Sequence, residues 1–282
     1  MSKGVQRIFS QVSHTYEFIN HILTFGLDML WRRKAARIAV SGGGSRWLDV
    51  CSGTGETAAY LQRASKGIAD VITVDFSLPM IRLAARKHEA SRIEMTLADA
   101  KQLPYPDNSF DLITISFATR NINKNRESLL DHFREFKRVL RPGGRFLNLE
   151  TSQPRSRLVR WLFHLYVRLT VKSIGSLISG SRSGYAYLSY TVLRFYHMEE
   201  LEVILRDAGF SRVVSQQMTL GLAAIHIAMK GKNDVIPGQT SEKCQNDNHF
   251  TLNSKTQSTT SPCKEAYPFT IFYIMHGGSD TE

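Results

Sequence analysis

The chain lacks several things whose absence narrows its chemistry. Three cysteines in 282 residues, Cys51, Cys244 and Cys263, fall at scattered positions and support neither a disulfide framework nor a zinc site. No metal is therefore expected, and a reducing, cytoplasmic location is the default. No run of about 18 uncharged apolar residues occurs, so no spanning helix is expected. The opening residues, Met1 to Arg7, lack the apolar core of a secretory signal. Neither G-x-G-x-x-G nor G-x-x-x-x-G-K-[ST] is present, which argues against a pyrophosphate cradle. Acid is missing from one long stretch. Between Glu150 and Glu199 there is no Asp or Glu, while Arg155, Arg157, Arg160, Arg168, Lys172, Arg182 and Arg194 all lie there.

That gap shapes the charge balance. The chain carries +11 overall, but residues 231–282 hold four lysines and six acids, so residues 1–230 carry +13. A long block of one sign points to an anionic partner, either a membrane surface or nucleic acid. The alternative is a solvated face that only aids solubility.

Along the chain, residues 5–40 read as two helices. Tyr16, Ile19, Asn20, Leu23 and Leu27 recur at helical spacing, and Met29 to Val40 sets Arg32, Arg33, Lys34 and Arg37 on a polar side. Ser41-Gly42-Gly43-Gly44 ends this N-terminal helical cap, 1–40. Short apolar runs then alternate with helical segments. Strands are predicted at 46–51, 70–75, 93–97, 110–116 and 144–150, and helices at 56–64, 78–88, 126–140 and 198–208. A closing antiparallel pair is predicted at 211–217 and 222–229. This is the rhythm of a mostly parallel sheet with helices on both faces, an α/β fold over residues 41–230. Residues 154–196 interrupt it. Leu158, Trp161, Leu162, Leu165, Tyr166 and Leu169 share one face of a basic amphipathic helix, which reads as a lid resting on a membrane or as an ordinary helix packed on the core. Residues 231–282 begin with a polar, low-hydrophobicity segment and are expected to be a disordered tail.

The run Trp47-Leu48-Asp49-Val50-Cys51-Ser52-Gly53-Thr54-Gly55-Glu56 joins a buried strand to a helix through a loop of small residues. Gly53 and Gly55 let backbone N–H groups approach a ligand, with Thr54 between them. Asp75 ends the second strand, where an acid can accept from both ribose hydroxyls; it also suits a helix start. Asp49 before the loop favours a ligand carrying positive charge, and S-adenosyl-L-methionine has a ribose, an ammonium and a sulfonium. Asp99 and Ala100 follow the third strand, where a side chain can bond the adenine amino group. Ser116 ends the fourth strand, and Arg120-Asn121 lie just past it, at the edge where such sheets bind ligands. Arg120 could instead simply pair with a carboxylate such as Glu150. Cys51 reads as a small buried filler.

The order of these pieces resembles class I S-adenosylmethionine-dependent methyltransferases, whose fold is a Rossmann-like seven-stranded sheet. More narrowly it is similar to the ubiquinone/menaquinone biosynthesis C-methyltransferase family. The resemblance rests on Tyr16-Glu17-Phe18-Ile19-Asn20 with Leu23-Thr24-Phe25-Gly26 and Trp31, on Ile115-Ser116-Phe117-Ala118-Thr119-Arg120-Asn121, and on Arg138 to Phe146 running into Glu150-Thr151-Ser152. Ile174-Gly175-Ser176 and Ala223-Ala224-Ile225-His226 also have counterparts. The chain departs from the pattern with Glu17 for Asp, Ile19 for Met, Thr24 for Ser, Asp28 for His and Ala118 for Gly. The resemblance implies C-methylation of a polyprenylated quinol ring, demethylmenaquinol or 2-polyprenyl-6-methoxy-benzoquinol. It further implies cofactor contacts from Thr54, Asp75, Asp99, Ala100 and Ser116, Arg120 and Asn121 at the reacting ring, and Tyr16 closing the pocket. Partners are then a lipid-tailed quinol and an anionic membrane surface, with peripheral attachment to the membrane; a homodimer stays open.

Three rival readings remain. N-methylation of phosphatidylethanolamine would gain nothing from a cation beside the attacking amine. A non-catalytic scaffold that binds the cofactor within a quinone-making complex would keep the loop without the chemistry. Nucleic acid is not expected, because no RNA-reading module and no N/D-P-P-[YFW] motif is present.

Overall fold

Runs of β-branched residues become strands here because each is covered on both faces. Val71-Ile72-Thr73-Val74 is one such run, buried throughout. The structure, a computed structural model, describes residues 16–171 and 182–234, and of Tyr16, Arg182 and Ser183 only the backbone. The expected helical residues 5–15, the segment Ile174-Gly175-Ser176 and the expected disorder of 235–282 lie outside the described residues. In chain order the elements are α1 (Tyr16–Leu23), α2 (Leu27–Ser41), β1 (Arg46–Val50), α3 (Glu56–Ser65), β2 (Asp70–Asp75), α4 (Leu78–Ala84), β3 (Ile93–Leu97) and β4 (Phe110–Ser116). They continue with α5 (Thr119–Ile122), α6 (Arg126–Val139), β5 (Leu140–Thr151), α7 (Arg157–Tyr166), α8 (Arg182–Leu193), α9 (Met198–Asp207), β6 (Arg212–Met218) and β7 (Ala223–Met229).

The seven strands form one sheet in the order β3-β2-β1-β4-β5-β7-β6. Strands β1 to β5 are parallel, and β7 runs antiparallel to both neighbours. This is the class I methyltransferase architecture. Chain order reverses between β1 and β4, so the loops after these strands flank a crevice at their carboxyl ends. Alternate residues of each strand serve the two faces. Leu48, Ile72, Ile113 and Phe146 join the core under α6 and α9, where Phe133, Phe136, Phe146 and Phe210 pack together. Trp47, Val71, Leu112 and Leu147 meet Trp31, Ala35 and Ala39 of α2 and Leu61 of α3. A third apolar cluster, Ile19, Leu23, Val167, Tyr185 and Val192, ties α1 to the helices of the 154–196 insertion.

Local signals explain the boundaries. Asn125 caps α6 by accepting from the Ser128 N–H at 2.8 Å, and Glu200 accepts from the His197 N–H at the start of α9. The amino end of the sheet is pinned by Asp111, which accepts from the Ser45 and Arg46 N–H groups and from Arg141. The helix predicted over 78–88 stops at Ala84. Strand β5 starts earlier than predicted, at Leu140, and its Pro142-Gly143 turn shifts the register against β4. Short α5 was not predicted. No described helix is long and apolar enough to cross a membrane.

Candidate active site

The glycine loop works through backbone conformation. Gly55 sits at φ +77° at the start of α3, and a Cβ there would meet Ala84 Cβ at 2.9 Å, so the α3–α4 approach also requires glycine. Gly53, at φ +57°, has open space where a side chain would go. Its N–H donates to Asp75 Oδ2 at 2.8 Å, while the Ser77 N–H donates to Asp75 Oδ1 at 2.8 Å. A carboxylate offers about four acceptor sites, so these two bonds fix Asp75 and leave capacity for a diol. Asp49 accepts from the Thr114 hydroxyl at 2.6 Å through Oδ1.

A cavity of about 50 Å³ lies among these groups, lined by Asp49, Gly53, Thr54, Asp75, Ser116 and Asn121 with their neighbours. Three buried atoms of its lining residues, Arg32 Nε, Asp49 Oδ2 and Ser116 Oγ, have no hydrogen-bond partner within the protein. Such atoms are costly unless a ligand meets them. An unsatisfied carboxylate oxygen, a hydroxyl and a fixed acid beside a glycine loop suit an ammonium and a ribose, and thus fit S-adenosylmethionine. Burial pushes the Asp49 carboxyl up to about 7, although Thr114 and Arg32 pull it down. Burial likewise lifts Asp75 to about 6, against hydrogen bonds from the Gly53, Ser77 and Phe76 backbone. Cys51 lines the cavity too, but burial and the nearby acids push its thiol well above the usual range. That removes it as a nucleophile near neutral pH.

A second cavity, about 350 Å³ and mainly apolar, opens beside the first. Leu23, Phe163, Tyr166, Val167, Leu188 and Val192 form much of its wall, drawn from α1, α7, the turn after it and α8. Arg32 and Phe117 line both cavities. Phe117 holds a left-handed backbone at φ +56°, a strained state for a bulky residue, with the Arg32 guanidinium 4.7 Å from its ring centroid.

Arg120 lines this apolar cavity. It is buried, and its guanidinium donates to Glu150 Oε1 at 2.5 Å while its backbone N–H donates to Glu150 Oε2 at 3.2 Å. The pairing with Glu150 is therefore real, and Arg120 takes part in the cavity wall as well. Its neighbour Asn121 lines the cofactor cavity instead, so one short helix serves both spaces. Asp99 and Ala100 line neither cavity; they follow β3, whose continuation at Ala98 bonds back to the Asp75 carbonyl. Tyr16 opens α1, and its side chain lies outside the described residues.

Sequence reasoning missed Arg32. It lies on a helix with three other cations and reads as solvated, yet it is only 5% exposed. It bonds Thr57 Oγ1 at 3.0 Å and pairs with Glu56 at 3.2 Å, with Asp28 Oδ2 3.9 Å away. The Asp28–Arg32 spacing of four was the available signal. His21 completes this network, 2.8 Å from Asp28 Oδ2 and 3.3 Å from Glu56 Oε1. These are three metal-capable side chains, but Arg32 already supplies the compensating cation. The insertion also differs from an ordinary core helix. Leu158 and Trp161 are 66% and 60% exposed, with Leu162, Leu165 and Leu169 exposed beside them.

The family model described as the ubiE/COQ5 methyltransferase family matches residues 1–230. The chain is 36% identical over 231 residues to a ubiquinone/menaquinone biosynthesis C-methyltransferase UbiE from Geobacter sulfurreducens, covering 80% of this chain and 88% of that protein. It is 38% identical over 222 residues to a demethylmenaquinone methyltransferase from Thermus thermophilus, covering 78% of this chain and 98% of that one. Among solved structures, a SAM-dependent methyltransferase from Thermotoga maritima superposes with a TM-score of 0.58 at 18% identity, covering 80% of this chain and 99% of that chain. At that identity the likeness concerns the fold alone.

Proposed function

The chain belongs to the ubiE/COQ5 methyltransferase family and is a methyltransferase dependent on S-adenosylmethionine, and on that premise we propose that it C-methylates the ring of a polyprenylated quinol in menaquinone or ubiquinone biosynthesis. One observation carries the reading: an apolar cavity of about 350 Å³ adjoins the cofactor cavity and presents Arg120 from its wall. A lipid-tailed ring needs such a cavity, and a phenolic oxygen needs such a cation.

The cofactor supplies an electrophilic methyl group on a sulfonium. Asp75 fixes the nucleoside end, while the wall at Phe117 and Arg32 sets where the ring meets the methyl. Arg120 stabilises the phenolate formed when the ring hydroxyl loses its proton, which makes the adjacent carbon nucleophilic. Glu150 and the Arg120 backbone N–H keep that guanidinium in register with the cavity. Bound there, the cofactor would give its methyl to the ring carbon and leave as the thioether, with the hydroxyl and ring-carbon protons passing to water. Held geometry accounts for much of the acceleration.

The exposed apolar face of α7, with Arg157, Arg160 and Arg168 around it, supports seating on an anionic membrane. Phe25, 80% exposed, and Leu162 both line the apolar cavity, so its mouth lies beside that face. A phospholipid N-methyltransferase reading is not favoured, because Arg120 would repel the protonated amine it must approach. The test is direct: purified protein with S-adenosylmethionine and either reduced naphthoquinol or benzoquinol precursor in vesicles, followed by mass spectrometry. Transfer of one methyl to a ring carbon supports the proposal; methylation of neither ring overturns it.

A further inference from the structure

The 154–196 insertion carries cations that the fold leaves unmatched. Residues 151–198 contain no acid, and the acids that border them are engaged elsewhere. Glu150 pairs with Arg120, Glu199 with Arg155 and Glu202 with Arg206, while Glu200 accepts from the His197 N–H. Arg168 and Arg194 form no ion pair among the described residues. Both line one open groove of about 470 Å³, with His164, Ser189 and Tyr190 beside them. Arg168 comes from the turn after α7 and Arg194 from the end of α8. The Arg194 guanidinium rests 4.1 Å from the Tyr190 ring centroid, which fixes that cation at the groove. Burial and the neighbouring Arg168 and Arg160 hold the His164 imidazole below its ordinary value, the mark of a positive field that no acid offsets.

We propose that this groove binds the phosphate of an anionic phospholipid headgroup, with Arg168 and Arg194 as its cations. The inference rests on the membrane seating proposed above and adds to it a site of defined position. Two guanidinium groups brought from separate segments suit a phosphodiester, whose oxygens accept paired N–H bonds. Ser189 adds a hydroxyl, and Leu193 an apolar side for the glycerol backbone. Position favours a lipid over a free anion or a nucleic acid. Trp161, Leu165 and Leu169, on the same segment as His164 and Arg168, are exposed; seated at acyl-chain depth, they set the groove at headgroup depth. Tyr190 suits that boundary. The groove also backs onto the substrate cavity. Phe163, Tyr166, Leu188 and Val192 line the cavity, whereas His164, Arg168, Ser189 and Leu193 line the groove. A phosphate bridging the two arginines therefore braces, from outside, the two segments that wall the cavity.

Flotation of the full chain with vesicles of equal parts phosphatidylcholine and phosphatidylglycerol tests this through two charge-matched variants. Arg168→Gln/Arg194→Gln strips the groove, and Arg33→Gln/Arg157→Gln removes two exposed cations outside it. The outside pair is expected to weaken binding by at most roughly 30-fold, the effect of two diffuse surface charges. The groove pair is expected to weaken it roughly 10-fold further, because charge-assisted hydrogen bonds are lost as well. Arg168→Lys/Arg194→Lys, which keeps the charge without the planar fork, should fall between wild type and the groove pair. Native mass spectrometry with dihexanoyl phosphatidylglycerol, held below the concentration at which it forms micelles, reads the site without a surface. One lipid per wild-type chain is expected, lost in the groove pair and kept in the outside pair. Equal losses in the two pairs, or a short lipid that binds the groove pair as well as wild type, overturn the site and leave the membrane seating standing. Inorganic phosphate or an RNA oligonucleotide that displaces the short lipid at equal concentration overturns the lipid assignment. A wild-type chain that does not float with the vesicles overturns the seating and the site together.

Discussion

The two cavities that meet at Arg32 and Phe117 are built in opposite ways. The cofactor cavity takes most of its polar groups from the carboxyl ends of β1, β2 and β4 and the turns and helix starts just past them, with Arg32 added from α2. The apolar cavity takes its wall from α1, α2, α7 and α8, spanning Asn20 to Leu222. The first is crowded with acids and the second with aliphatic and aromatic side chains. Their acids also differ from Asp111 at the far end of the same sheet. Against the penalty of burial, Arg141 and the Ser45 and Arg46 N–H groups hold the Asp111 carboxyl below its usual range. Asp49 and Asp75 are pushed the other way. Asp111 has both oxygens met by the fold, and so has Asp75 through two backbone N–H groups, whereas Asp49 keeps one oxygen without a partner.

Breaking one cavity at a time should separate binding from chemistry. Arg120→Ala is expected to give the largest effect, a loss of turnover of roughly 100- to 1,000-fold with S-adenosylmethionine affinity within about threefold of wild type. That variant leaves Glu150 buried without its partner, costing about 3–5 kcal/mol, so Arg120→Lys with a thermal melt should accompany it. Full turnover by Arg120→Ala would remove the phenolate role. Asp75→Ala should do the reverse, weakening S-adenosylmethionine by roughly 100-fold in calorimetry; unchanged affinity would sink the ribose assignment.

Asp49 sharpens the comparison through pH. Its folded pKa, about 7, lies above the ordinary carboxylate value, so between the two the folded chain holds a proton that the unfolded chain has lost. The unliganded protein should therefore lose stability as pH rises through that window. Asp49→Asn should be more stable than wild type at pH 8, by on the order of 1–4 kcal/mol, and should bind S-adenosylmethionine roughly 10-fold more weakly. A positively charged ligand favours the ionised acids, so wild-type affinity should rise with pH across about 6 to 7. Binding there should release protons, visible as a buffer-dependent heat. A flat profile, or proton uptake, would contradict the assignment. The smallest effect belongs to the outer face. Trp161→Ala with Leu165→Ser should lower binding to anionic vesicles several-fold and leave turnover of a short-chain, water-soluble quinol unchanged.

The comparison also explains what could be read from residue order. Asp49, Gly53, Thr54, Gly55 and Asp75 belong to strand–loop–helix units whose local pattern carries their position, and Ser116 and Arg120 follow from the end of an apolar strand. Arg32 did not follow. Helical periodicity says which residues share a face, but not that α3 would bring Glu56 and Thr57 to that face. Asp99 and Ala100 were placed by analogy of position after β3, and they line neither cavity. The apolar cavity has no local signature because its wall is assembled from segments far apart in the chain, closed by tertiary packing. The exposed face of α7 was legible as amphipathic, but only the structure shows which of its sides faces outward.

Phe117 bears on protein engineering. A bulky residue at φ +56° sits in a conformation that glycine or asparagine adopts at less cost. Relief of that backbone is worth about 1–2 kcal/mol, less than the roughly 3–5 kcal/mol lost when a buried ring is truncated, and Phe117 packs on Trp31 and under the Arg32 guanidinium. A smaller residue there would open the wall that the two cavities share. Any screen at this position should score fidelity of transfer alongside melting temperature.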